Sequence, residues 1–176
     1  MQKIVRAKAN HVEALLKCYR RCNDQNPLIK DQESLCKMVE DGNVFILIDG
    51  GRVFAFAVVT RDLRTGIFGA LPHRSSDYYD LLNELGEMDE NVIAVPSFAV
   101  DPAVSFQVYA KELFDFLSAT YHKPLMLIRT EKNISDEKAA FLSRYHAVIY
   151  RGQVDLEGSL FIKKFEVDGL ARGFAW

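Results

Sequence analysis

The chain has 176 residues, 49% of them hydrophobic and 26% charged, with a formal net charge of −2. This length and balance suit one domain with a substantial core. They exclude a basic field for nucleic acid or an anionic membrane, and no apolar run approaches a membrane span.

Lys3 to Ala7 can form a short first strand. Asn10 then opens a helix signature, with Glu13 placed as in a capping box and Val12, Leu15, Leu16 and Tyr19 at helical spacing. This opening segment, MQKIVRAKANHVEALL, lacks the unbroken apolar core of a secretory signal, so the expected location is the cytoplasm. Cys18, Cys22 and Cys36 lack zinc-site spacing and are expected to be reduced thiols packed as small apolar groups. Asp31 is a second cap, before Leu35, Met38 and Val39, and Gly42 is a natural stop.

Val44 to Ile48 and Val53 to Thr60 read as strands, joined at Asp49-Gly50-Gly51 by a strong hairpin signal. Arg61 to Pro72 reads as a loop, broken by Gly66, Gly69 and Pro72. Ser75 or Ser76 can cap a helix that carries Tyr78, Tyr79, Leu82 and Leu85. Val92 to Val100 is nearly all apolar, as expected of a strand covered on both faces. Asp101-Pro102 ends it, because proline cannot continue a ladder. Ser105 can cap the next helix, with Tyr109, Leu113, Phe116 and Leu117 on one face.

Leu125 to Thr130 is another apolar strand, entered from Lys123-Pro124. Ser135 can cap a helix through Arg144. Two last strands, about Ala147 to Val154 and Leu160 to Val167, flank a turn at Glu157-Gly158. The expected order is β-α-α-β-β-α-β-α-β-α-β-β, an α/β (α+β) domain at 1–167 with a tail at 168–176. Its expected sheet is mixed and mainly antiparallel, with Val92–Val100 central and helices on both faces.

The segment from Asn91 to Leu117 resembles the core motif of the GNAT superfamily, the Gcn5-related N-acetyltransferases. Val100-Asp101-Pro102 matches the family's strand-ending Val-x-Pro, and Ser105-Phe106-Gln107-Val108-Tyr109-Ala110 stands at its Gln/Arg-x-x-Gly-x-Gly/Ala loop. Ala110 fits the last position, while Ser105 replaces Gln or Arg and Val108 replaces the first Gly. The element order resembles a whole GNAT domain, to about Val167.

The resemblance implies the acyl-coenzyme A N-acyltransferase fold and acetyl-coenzyme A as acyl donor, with a small amine as acceptor. A homodimer is left open. Backbone at Phe98, Ala99 and Val100 would face the thioester and its pantetheine arm, and the amides of Ser105 to Ala110 would meet the pyrophosphate. Pro96 fits a splayed or bulged strand that admits the arm. Asn133 matches an Asn that contacts the cofactor arm in many members.

The family often uses a helix-end Tyr as general acid toward the leaving thiolate. Leu142 occupies that position here, and Tyr145, one turn beyond Phe141, is the candidate substitute. Glu90, last of an acidic cluster with Glu84, Glu87 and Asp89, is the nearest candidate base. The altered loop and displaced tyrosine also admit a catalytically degenerate domain that binds a ligand or protein partner. No Ser-His-Asp order, Gly-x-Ser-x-Gly elbow or Walker loop supports a hydrolase or nucleotidase.

Overall fold

The computed structural model of the chain describes residues 1–22, 31–63, 91–131, 133–149 and 158–165. In chain order the elements are β1 (Lys3–Arg6), α1 (Val12–Cys22), α2 (Gln32–Glu40), β2 (Val44–Asp49), β3 (Arg52–Thr60), β4 (Val92–Val100), α3 (Phe106–Thr120), β5 (Leu125–Thr130), α4 (Asp136–Arg144), β6 (Val148–Ile149) and β7 (Ser159–Lys163). The helix expected after Ser75 or Ser76, the acidic cluster at 84–90 and the tail at 168–176 lie outside the described residues.

The turn and cap chemistry follows the sequence at most joints. Asp31 accepts the Ser34 amide at 2.8 Å, and Ser135 Oγ accepts the Lys138 amide at 3.2 Å. Gly50 and Gly51 both take positive φ, 54° and 80°, as a tight hairpin turn demands. Asn10 is an exception. It lies inside a 3-10 turn, Ala9–His11, and the amide of Lys8 donates to His11 Nδ1 at 3.1 Å. The expected box would have joined the Asn10 amide to Glu13; His11 instead accepts the Lys8 amide, two residues earlier, and α1 begins only at Val12.

The strands form one seven-stranded sheet in the order β1-β2-β3-β4-β5-β7-β6. Only β4 and β5 run parallel; every other neighbouring pair is antiparallel. β4 is central and buried at every position. One core joins Ile93, Val95, Phe98 and Ile128 to α3 and α4 through Leu113, Phe114, Leu117 and Phe141. The other joins Ile46, Phe56 and Val58 to α1 and α2 through Leu15, Leu16 and Leu35. Covering both faces removes β4 from water and explains its unbroken apolar run. No helix among the described residues is long and apolar enough to cross a membrane.

Asp101 pins the carboxyl end of β4. Its amide donates to Phe54 O at 2.7 Å, and its carbonyl accepts the Val104 amide at 3.1 Å. The side chain is fully buried. Arg21 Nε at 2.7 Å and Arg52 Nη2 at 3.0 Å donate to its Oδ2, while the Ala103 amide donates to Oδ1 at 3.0 Å. Burial, the largest single influence, opposes its ionisation. The Ala103 amide and the two guanidiniums together outweigh it and hold the carboxyl below its usual range. One side chain thus ties α1, β3 and the turn into α3 together.

Two predictions come from these joints. Asp101→Asn should cost roughly 1–3 kcal/mol at neutral pH, a range kept low because both arginines are partly exposed. A depressed folded pKa contributes stability that is complete above the ordinary Asp value of 3.8 and is lost as the pH falls below it. Urea unfolding should therefore show the gap between wild type and variant closing in acid; a gap that widens there would contradict the anchor. At Gly158, φ is 92° and an added Cβ would stand 2.0 Å from Thr130 O. Gly158→Ala should lower stability by on the order of 2 kcal/mol or more, and an unchanged melting temperature would disprove this close approach of β7 to β5.

Candidate functional site

The sheet forks at Pro96. β4 pairs with β5 through Val92↔Leu125, Ile93↔Met126, Ala94↔Leu127 and Val95↔Ile128, and the register ends there. On its other edge β4 stays paired with β3 up to Ala55↔Val100. That ladder slips at the same place: Val58 faces Ser97, yet Thr60 faces Ala94. Two steps along β3 thus match three along β4, so β4 carries an extra residue beside Pro96. Proline removes a ladder donor, and a bulge bends its strand. The bulge also resets the alternation. Ile93 and Val95 face the α3–α4 core before it, whereas Phe98 and Val100 face that core after it.

The fork opens toward the N-terminus of α3. Ser105 occupies the N-cap position with φ −67° and ψ 113°, but its side chain makes no cap hydrogen bond. The sequence expectation of a capping serine is corrected here, and the first-turn amides keep their donors for another partner. The first turn carries no acidic residue. Ser105 is exposed, and Val108 is 51% exposed. Phe106 and Tyr109 turn inward: Phe106 meets Phe98 at 6.2 Å between ring centroids, and Tyr109 meets Phe54 at 5.8 Å. Ala110 is buried. Gln107 Nε2 reaches across to Glu137 O at 3.0 Å and ties the first turns of α3 and α4 together.

Lys138, in the first turn of α4, lies beside the fork, and nothing in the sequence singled it out. Its ammonium lies 3.0 Å from both carboxylate oxygens of Glu131, just past β5. It also sits 4.8 Å from the centroid of Phe98, on the diverging limb of β4. The Lys138 side chain is 7% exposed and that of Glu131 19%. Lysine early in a helix is normally solvated, so no local signal marked it.

Tyr145 stacks on Phe141 at 5.3 Å and 22°, and meets Phe114 edge-on at 5.5 Å. Phe114 and Phe141 each also touch Phe98. The Tyr145 hydroxyl is buried with no hydrogen-bond partner among the described residues. Burial first, and the charge of Asp115 second, push its pKa well up, so it holds its proton. Lys163 Nζ covers the ring at 4.9 Å. Leu142 is part of the core, Asn133 is exposed between β5 and α4, and Glu90 lies outside the described residues.

This arrangement fits an anionic ligand with an extended arm. Uncapped helix-terminal amides suit phosphate, and the limb Phe98–Val100 has β3 on one edge and no β5 register on the other. Among the described residues no cluster of three or more His, Cys, Asp or Glu is placed to hold a metal. The thiols of Cys18 and Cys22 lie 3.8 Å apart on α1, and all three cysteines are reduced.

No family model and no curated protein matches the chain. Solved structures do. PaiA N-acetyltransferase from Thermoplasma acidophilum, in complex with coenzyme A, superposes with a TM-score of 0.62 at 9% identity, covering 94% of this chain and 99% of that one. The loading GNATL domain of CurA from Lyngbya majuscula gives 0.63 at 13% identity, over 93% and 98%. A mosquito arylalkylamine N-acetyltransferase-like protein gives 0.62 at 12%, over 94% and 100%. Sheet order, the fork at Pro96 and these superpositions agree: the chain has the GNAT fold.

Proposed function

We propose that this chain transfers an acetyl group from acetyl-coenzyme A to an amine. The observation that carries this reading is the fork, which leads from the bulge at Pro96 to the uncapped first turn of α3. In this reading the amides from Phe106 to Val108 take the pyrophosphate, helped by the helix dipole. Backbone at Phe98, Ala99 and Val100 takes the pantetheine arm, and exposed Asn133 borders it.

Transfer to an amine needs a proton removed from the acceptor and another supplied to the leaving thiolate. Tyr145 is assigned as acid from its helix-end place: its hydroxyl is protonated and has no partner among the described residues, although the burial that raises its pKa also makes the proton harder to give up. Glu90 is assigned as base from its place ahead of β4. The acceptor class rests on likeness: the neighbouring structures include an agmatine N-acetyltransferase and the arylalkylamine protein.

A second reading, a GNAT-fold domain that binds a ligand or partner without catalysis, is favoured by one feature. The rings of Phe114 and Phe141 touch both Tyr145 and Phe98, so aromatic packing fills the ground between the acid and the fork.

Calorimetry with acetyl-coenzyme A, together with thiol release in the presence of agmatine or an arylalkylamine, tests the pair. Binding with amine-dependent release supports transfer, and binding without release supports the second reading. Absence of binding sinks the acetyltransferase. Tyr145→Phe removes a hydroxyl that has no partner among the described residues, so stability should stay within about 1 kcal/mol of wild type. In the transferase reading its turnover should fall roughly 100-fold. Unchanged turnover would remove Tyr145 from the chemistry.

A further inference from the structure

The ammonium of Lys138 touches both limbs of the fork. Its hydrogen bonds go to Glu131 at the end of the β5 limb, and its cation faces the Phe98 ring on the β4 limb. A charge this far from water needs a hydrogen-bond acceptor at all times, because an unpaired buried ammonium is strongly disfavoured. An alkyl chain entering the fork would part Lys138 from Glu131 and offer nothing in exchange. An arm bearing amide carbonyls would offer acceptors at the same place.

We propose that Lys138 is a specificity-determining residue of the fork: paired with Glu131 it holds the two limbs together, and an amide-bearing arm enters by taking over its hydrogen bonds. This rests on the acyl-coenzyme A reading, since the pantetheine arm is the amide-bearing group concerned. Glu131 is the closing partner, and Phe98 supplies the face on which the cation stays seated in both states. The exchange is non-covalent and conserves the charge of the fork.

The test is a double-mutant cycle read by calorimetry with coenzyme A, and in parallel with adenosine bisphosphate, its nucleotide half. Glu131→Gln weakens the closing pair and leaves Lys138 as donor, so coenzyme A should bind roughly tenfold tighter. In a Lys138→Met background the same change should have no effect, because the pair is already gone. Adenosine bisphosphate lacks the arm and should bind all four proteins equally. A role confined to stability would shift both ligands together.

The proposal is overturned if wild type binds coenzyme A but Glu131→Gln does not tighten it. It is also overturned if the tightening persists without Lys138, or if the nucleotide half shows it too. Failure of coenzyme A to bind both wild type and Glu131→Gln overturns the acyl-coenzyme A reading itself. The Glu131→Gln comparison stands alone should the methionine variants not fold.

Discussion

A single extra residue in β4, beside Pro96, sets the geometry of everything around the site. β4 must stay joined to β3 along its length and yet leave β5 halfway. A regular strand with two good edges does the first but not the second. The bulge lets it do both, by bending β4 and removing a donor where pairing would otherwise continue. Each backbone hydrogen bond forgone costs about 0.5–1.5 kcal/mol net. Burial of Phe98 offsets this by roughly 1.5–3 kcal/mol. Without the phase reset at the bulge, Phe98 would point to the α1–α2 face, and the ring contacts with Phe106, Phe114 and Phe141 would not form.

The fork would still lead nowhere without the next turn. Asp101 fixes it by receiving three donors from three parts of the chain. Its negative charge is used up within that cluster, so it does not compete for the amides of α3. Ser105 leaves those amides uncapped, and the first turn adds no carboxylate. Electrostatically the end of β4 is therefore arranged so that acidic groups are turned away from the helix terminus and donors are left facing outward.

Most of the fold was legible because its signals are local. Apolar β-branched runs gave β2, β3, β4 and β5, paired glycines gave the hairpin, and Asp31 and Ser135 gave two helix starts. Asn10 was misread because Glu13 satisfied a capping pattern, while the turn is closed two residues earlier, where His11 accepts the Lys8 amide. The site was less legible. The fork was suggested by a proline in a buried run. The anchoring of Asp101 depends on Arg21 and Arg52, which are remote in sequence. Lys138 reads as a surface residue until α4 is laid over Phe98. Pairings of this kind are set by topology, and composition carries no trace of them.

Val108 bears on how far a loop sequence can be trusted to report a site. Glycine at that position would provide dihedrals closed to valine and a closer approach for a ligand. In this chain Val108 already lies in the regular first turn of α3, with its side chain half in water. Helical dihedrals suit valine at only a small cost. The direction of the amide is then fixed by the helix, whatever side chain is attached. What valine changes is the bulk beside the terminus, so the substitution acts on the width of approach and leaves the donor array intact. The donors at the start of α3 therefore belong to the backbone and do not depend on which side chain stands at 108.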